Sequence, residues 1–491
     1  MSELTASAPA SPPAADTRSP PSPAPATLRH PRRVLATAFA AGLLAELLFD
    51  GPRLGVSFPL FVCAGLVGVR ALAGREGWRA AGTARWLAAP LVAFASFVAL
   101  RDNPTLTALN VAASALLAGL LVQSLAGGFD LAHARLWELL VRPAQGWLHG
   151  LLAAPTPVRE SFDLSRARSW ASAVWLPALK AAAVTLPVLA VFSALLASGD
   201  ENFARLLGDV LQALGGGDGS LLGAVFVVAG VTLVSGGVLA HALRRRGVSA
   251  PHSEPAVAVR WLEATQGLSI VYGLSTLFAV FALAQARSLF VERASLIPST
   301  PGIGWGTYTR EGFVQLIVAA ALTLSLLIVL PWVVAFSTAS SRRAFQLGST
   351  ALVALTLLIL VTAANRLVAC EEAYGFTQTR LFGHVFAFAL GGVLLWRALT
   401  LWRWPRRFAV GMLAGAVGWL LAVNAVNPDD FIVRHNVERY ERLGYIDADY
   451  LDTLSADAAP ALRAGIGQGH RALCPSVGRI ARKLVATSDS R

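Results

Sequence analysis

Residues 365–384 read NRLVACEEAYGFTQTRLFGH. Two long apolar runs flank this stretch, 345–368 before it and 381–400 after it. Each run is long enough to cross a hydrocarbon core of about 30 Å as a helix. The polar stretch Cys370 to Phe376 joins them, with Arg366, Glu371, Glu372 and Arg380 crowding the two helix ends. Asn365, Thr377 and His384 lie on the flanks. The pattern predicts a tight helical hairpin whose turn sits at a membrane surface.

The rest of the chain repeats that pattern. Of 491 residues, 55% are hydrophobic and only 14% are charged, against roughly 25% charged in soluble domains. The mean hydropathy is +0.58. The expected fold class is therefore an all-α, polytopic transmembrane helix bundle. Spans are expected near 34–50, 54–73, 84–100, 104–125, 172–197, 220–243, 258–286, 311–338, 345–368, 377–400 and 406–426, about eleven in all.

The net charge of +12 does not indicate nucleic-acid binding. Its arginines fall in alternate loops, as the positive-inside rule expects. One set of loops holds Arg75 and Arg79, Arg135 to Arg168, Arg244 to Arg246, Arg342 and Arg343, and Arg403 to Arg407. The opposite set holds Asp50, Asp102, Asp200 to Asp218, Glu292, Glu371 and Glu372. The arginine-rich loops are read as cytoplasmic, with the N-terminus inside and the C-terminal tail outside. The expected partner is the lipid bilayer, with no nucleic acid.

Three domains follow. Residues 1–30 form a Pro/Ala/Ser-rich cytoplasmic tail with too little apolar surface to order itself. Residues 31–427 form the membrane domain, and 428–491 an external helical tail. Asn427-Pro428-Asp429-Asp430 is a helix start, with Asn as N-cap, Pro at the first helical position and acids in the first turn. Further starts are expected at Asp447 and Ser455. Thr309 and Thr377 are placed to cap helices opening with Arg310 and Arg380.

Two amphipathic segments lie outside the spans. Leucines and Trp147 recur at helical spacing between Leu136 and Leu152, with Pro143 expected to kink the helix. This helix is expected in the headgroup region, with docking to a partner as the alternative. Residues 200–214 form a second amphipathic helix on the opposite face.

Ionisable groups inside a membrane are functional candidates. Glu46, Lys180 and His384 qualify. Lys180 either snorkels to the headgroups or titrates in a buried site. His384 is either a satisfied core histidine or a proton or metal group. Glu46 shares a depth with Arg366 and is a candidate ion-pair partner, as are Glu311, Glu371 and Glu372. Asn110, Gln123, Gln285 and Asn424 are expected to hydrogen-bond between helices. No HExxH, phosphate-binding loop, GxSxG or dinucleotide fingerprint occurs. No cofactor, metal site or catalytic residue is expected.

Several stretches together resemble a known family. They are residues 186–203, Tyr308 to Phe313, Glu372 to Thr377 with Arg380, and Asn427-Pro428 through Arg434-His435-Asn436 to Tyr440, continuing to Leu462. They are similar to bacterial polytopic membrane proteins grouped as domain of unknown function 4173, related to group 4153. Gly199 and Phe376 depart mildly from that pattern. The resemblance implies a multi-pass protein of the bacterial inner membrane and no established activity. It also gathers a candidate external polar cluster: Asp200, Arg310, Glu311, Arg366, Glu371, Glu372, Arg380 and Asn427. Cys370 and Cys474 fall on the same side under this topology and form a candidate disulfide. A non-enzymatic envelope, sensing or scaffold role is expected. The alternatives are a transporter of small solutes or lipid, and a membrane-embedded enzyme acting on a lipid or cell-wall precursor.

Overall fold

A computed structural model describes residues 28–49, 54–127, 129–162, 221–244, 261–290, 305–444 and 446–467, with isolated positions between 189 and 209. The expected N-terminal tail up to residue 27, the span near 172–197 with Lys180, the segment with Asp200, and Cys474 lie outside the described residues.

The protein is an all-α, multi-pass helix bundle. Its helices are α1 Pro31–Leu48, α2 Ser57–Ala80, α3 Ala88–Leu100, α4 Pro104–Leu125, α5 Leu136–Leu152, α6 Thr156–Ser161, α7 Leu221–Leu243 and α8 Ala264–Phe290. They continue with α9 Trp305–Val333, α10 Ala339–Tyr374, α11 Gln378–Trp402, α12 Phe408–Val426, α13 Pro428–Leu443, α14 Ala448–Leu451 and α15 Ala459–Gly467. Among the described residues the only strands are a two-residue parallel pair, Leu262 and Glu263 beside Val334 and Ala335. It ties the start of α8 to the end of α9.

Nine helices among the described residues are long and apolar enough to cross a membrane. They coincide with nine of the expected spans. The expected span near 34–50 is α1, which also carries Arg32, Arg33 and Glu46. The span near 54–73 stops where Gly74 takes φ 67, a left-handed conformation that breaks α2.

The expected hairpin is α10 and α11, but its turn is shorter than the polar composition suggested. Helix α10 runs through Cys370, Glu371 and Glu372 to Tyr374, and Gly375 closes it at φ 82. Only Gly375, Phe376 and Thr377 are non-helical. Thr377 caps α11 as expected, accepting from the Arg380 N–H at 3.4 Å. Thr309 does not cap a helix, because α9 already begins at Trp305.

Packing in the first half of the bundle runs along small residues. On α1 the buried positions are Val34, Ala38, Gly42 and Ala45, a stripe facing α7. A methyl group at Gly119 of α4 would lie 2.8 Å from Pro143 Cα of α5, and one at Gly146 would lie 2.8 Å from the Gly119 carbonyl. Close backbone approach of this kind drives helix association where lipid removes the hydrophobic preference for leucine. The same packing sets the orientation of α5. Its inward seam is Leu139, Pro143, Gly146 and Gly150, and the helix passes through Pro143. Trp137, Leu140, Leu148 and Leu152 of the leucine-rich face stay exposed.

In the second half, α8 to α11 enclose a core around Val271, Leu327, Leu352 and Leu394. Helix α12 packs on α11 and on α3 and α5, joining the halves. Helices α13 to α15 form a separate cap with its own core of Ile432, Val433, Leu451, Leu454 and Leu462. Each such buried side chain contributes about 1.5–3 kcal/mol. Phe376 and Leu381 of the hairpin pack against this core.

Candidate functional site

The polar residues concentrate where the cap meets the helix ends. Two Asn-Pro helix starts build this region. Asn103 caps α4, its Oδ1 accepting from Thr105 and Leu106 N–H at 3.0 and 3.1 Å. Asn427 caps α13, at φ 56, accepting from the Asp430 N–H. In both, Pro follows at the position whose N–H would have no helical partner.

Asp429 stands between these starts and is fully buried. Its carboxylate accepts from Asn103 Nδ2 at 3.1 Å, from Gln378 Nε2 at 2.7 Å and from the Ser455 N–H at 3.2 Å, and from the Ser455 hydroxyl. One side chain thus ties α4, α11 and the segment before α15 to the cap. The first turn of α13 also favours a negative charge at this position. Asp457 makes the second tie, accepting from the Asp102 and Asn103 N–H groups at 2.9 and 3.1 Å. Burial pushes its carboxyl above the ordinary carboxylate range, against the opposing pull of those two N–H groups.

The hairpin turn is held from above. Asn436 of α13 accepts from the Phe376 N–H at 2.8 Å and donates to the Phe376 carbonyl at 3.0 Å. The Tyr450 hydroxyl accepts from the Gln378 N–H at 2.6 Å, and burial raises the phenol above its usual range. Arg439 donates to the Glu372 carbonyl, and Arg380 to the Gly375 carbonyl while lying over the Tyr374 ring.

Below the turn, His384 of α11 meets Glu371 of α10, Nε2 to Oε2 at 3.0 Å. Glu371 is 3% exposed. Its Oε1 and the His384 Nδ1 are buried without a hydrogen-bond partner among the described residues. Among the described residues no group of three His, Cys, Asp or Glu side chains could hold a metal.

Inside the bundle, Asn110 of α4 and Asn424 of α12 exchange hydrogen bonds, Nδ2 to Oδ1, at 2.8 and 2.9 Å. Gln123 meets His241 at 3.2 Å. Both contacts join helices, as expected of these residues. Arg101 at the end of α3 donates to the Asn424 carbonyl at 2.9 Å. That carbonyl is among the last of α12, and the turn at Asn427, φ 56, leaves it without a helical donor. The same device recurs at the other end of the bundle. Pro331 lies inside α9 and leaves the Leu327 carbonyl without its helical donor. Arg397, 7% exposed, fills the gap from α11 with Nε at 3.1 Å and Nη2 at 2.8 Å, and it lies over the Phe408 ring.

Of the expected cluster, Glu371, Glu372, Arg380 and Asn427 belong to this cap end. Arg366 lies on α10 with its guanidinium against Gly312 of α9. Arg310 and Glu311 lie in the first turns of α9. Glu46 lies on α1, which packs against α7, α2 and α6, whereas Arg366 lies on α10, which packs against α8, α9 and α11. Cys370 is buried on α10. Sequence reasoning missed Asp429, Asp457, Asn103, Gln378, Asn436, Tyr450 and Arg397 as organising groups. A proline inside a helix, four residues after an otherwise ordinary carbonyl, was the signal for Arg397.

No curated protein and no solved structure matches the chain. One family, described as Domain of unknown function (DUF4153), matches residues 88–465. The match begins at α3 and takes in the hairpin, both arginine-capped carbonyls and nearly all of the cap. The chain therefore belongs to the DUF4153 family.

Proposed function

We propose that this is a non-enzymatic integral protein of the bacterial inner membrane, oriented with the cap outside, whose cap is a fixed platform with an envelope, sensing or scaffold role. The resemblance read from the sequence supports that setting. In this reading residues 31–427 form the membrane domain, with a cytoplasmic tail before it and an external tail after it. One observation carries the proposal. The polar groups around Asp429 are spent on one another, joining α4, α11 and the cap. An apolar groove of about 510 Å³ lies between α8 and α9, lined by Leu274, Phe278, Leu322 and Val329 with no cap residue in its lining.

A transport reading draws support from the Glu371–His384 pair, whose unmatched buried atoms suit proton exchange. Flux measurement in proteoliposomes separates the two. The platform reading expects proton and solute flux equal to that of empty vesicles. Flux abolished by Glu371→Gln favours transport. In a deletion strain under envelope stress, the platform reading expects Asp429→Ala to fail to complement and Glu371→Gln to complement.

A further inference from the structure

Five arginines gather at the end of the bundle opposite the cap. Arg342 and Arg343 lie in the first turns of α10, and Arg403, Arg406 and Arg407 follow the end of α11. Two hydrogen bonds set these segments side by side. Gln346 Nε2 donates to the Leu401 carbonyl at 2.8 Å, and Trp402 Nε1 to Thr350 Oγ1 at 2.9 Å. Gln346 is about one turn beyond Arg342, and Leu401 closely precedes Arg403, so both sets emerge at the same level.

All five are exposed, and none has an ion pair among the described residues. Arg142 and Arg434 differ: Arg142 faces Glu138, and Arg434 faces Asp430. The neighbouring turn does bring Asp130, but His133 already engages that carboxylate at 2.7 Å. The Trp404 indole carries the Arg403 and Arg407 guanidinium groups at 5.6 and 5.9 Å. A guanidinium laid on an indole keeps its planar fork of donors available at the edge. Trp402 and Trp404 are both partly exposed, and rings with one polar edge settle at the headgroup level. Arg397, one turn inward, is committed to the Leu327 carbonyl and fixes the helix end from which the platform projects.

We propose that this platform is a binding site for the phosphodiester headgroup of an anionic phospholipid in the leaflet it faces. Forked donors without protein partners match phosphate oxygens. Location at the ends of membrane-crossing helices, with tryptophan at the rim, fits a lipid and not a soluble acidic protein.

The test uses the full chain in nanodiscs of phosphatidylcholine alone or with phosphatidylglycerol, reading lipid retained after detergent exchange by native mass spectrometry. Selective retention of phosphatidylglycerol is expected, with inorganic phosphate failing to displace it. Each arginine near a charged headgroup is worth about fivefold in affinity. Arg403→Gln with Arg406→Gln and Arg407→Gln should therefore lower retention at least about tenfold. Arg342→Gln with Arg343→Gln should lower it less. The matching Arg→Lys triple keeps the charge but not the fork, so it should lower retention less than the Gln triple, and unchanged melting temperatures guard against a folding defect. Removing three arginines of the other basic segment, Arg75, Arg79 and Arg85, should lower retention less than the Arg403, Arg406 and Arg407 triple. Equal loss from that control set, no loss from either set, loss in the Arg→Lys triple as large as in the Gln triple, or displacement by phosphate overturns the proposal.

Discussion

The two ends of the bundle use one device to different purposes. At each, an arginine reaches across to a carbonyl that has no helical donor, Arg101 to Asn424 at a helix end and Arg397 to Leu327 opposite a proline. At the cap end the surrounding polar groups are consumed by one another, with a buried carboxylate at the centre and a small apolar core above it. At the opposite end the neighbouring arginines have no carboxylate among the described residues and stay exposed. A closed polar network rigidifies what it joins. An open row of cations leaves its donors for something else.

The comparison breaks first at Asp429. Asp429→Ala strands donors from Asn103, Gln378 and Ser455 in a buried site. Each stranded group costs about 1–3 kcal/mol, so a loss of about 3–5 kcal/mol in cap docking is expected. Hydrogen exchange should show α13 to α15 losing protection while α8 to α10 keep theirs. Asp429→Asn should cost less, because one oxygen still accepts. Uniform loss across both regions means that the cap is not a separate unit.

The arginine-capped carbonyls come next. Arg397→Leu leaves a buried carbonyl unsatisfied, at a cost of about 2 kcal/mol. Pro331→Ala restores an N–H inside a continuous helix, so it should suppress most of that loss. Arg101→Leu should have a comparable effect that Pro428→Ala does not suppress. Asn427 at φ 56 has already turned the chain, so an N–H at 428 no longer points back along α12. Thermal melts in detergent of the four single and two double variants check this. Suppression at both ends, or at neither, contradicts the proline account.

These outcomes bear on what could be read in advance. The spans were legible because runs of about twenty apolar residues have few other uses. The starts at Thr377, Asn427, Asp447 and Ser455 were legible because a cap is local chemistry. Asp429 was visible only as an acid in a first turn, since its partner Asn103 lies 326 residues away. Helix α5 was legible as an amphipathic helix, but its buried seam of Pro143, Gly146 and Gly150 was not, because small residues reveal close packing only once their partner helix is known. Arg397 was passed over because it looks like the tail of an apolar run, and its meaning depends on Pro331 in another helix.

The Asn110–Asn424 pair couples the two Asn-Pro starts from inside the membrane. A double-mutant cycle with Asn110→Ala and Asn424→Ala should give a coupling of about 1 kcal/mol, the upper part of what interhelical hydrogen bonds contribute in bilayers. A coupling near zero means that each amide finds another partner once its mate is gone.

The smallest expected effect concerns Asp457. Burial raises its carboxyl above the unfolded value of 3.8, so the folded cap binds a proton more readily than the unfolded chain. In the window between those two values the folded state holds more protons. Stability from this group therefore rises as pH falls through the folded pKa and levels off below the unfolded one. This is opposite to an acid held by a cation. Asp457→Asn keeps an oxygen facing the Asp102 and Asn103 N–H groups but removes the titration. Melting temperatures of the variant minus wild type should be positive at neutral pH and shrink towards pH 4. A difference that grows on acidification would show that the charge at Asp457 holds the cap in place.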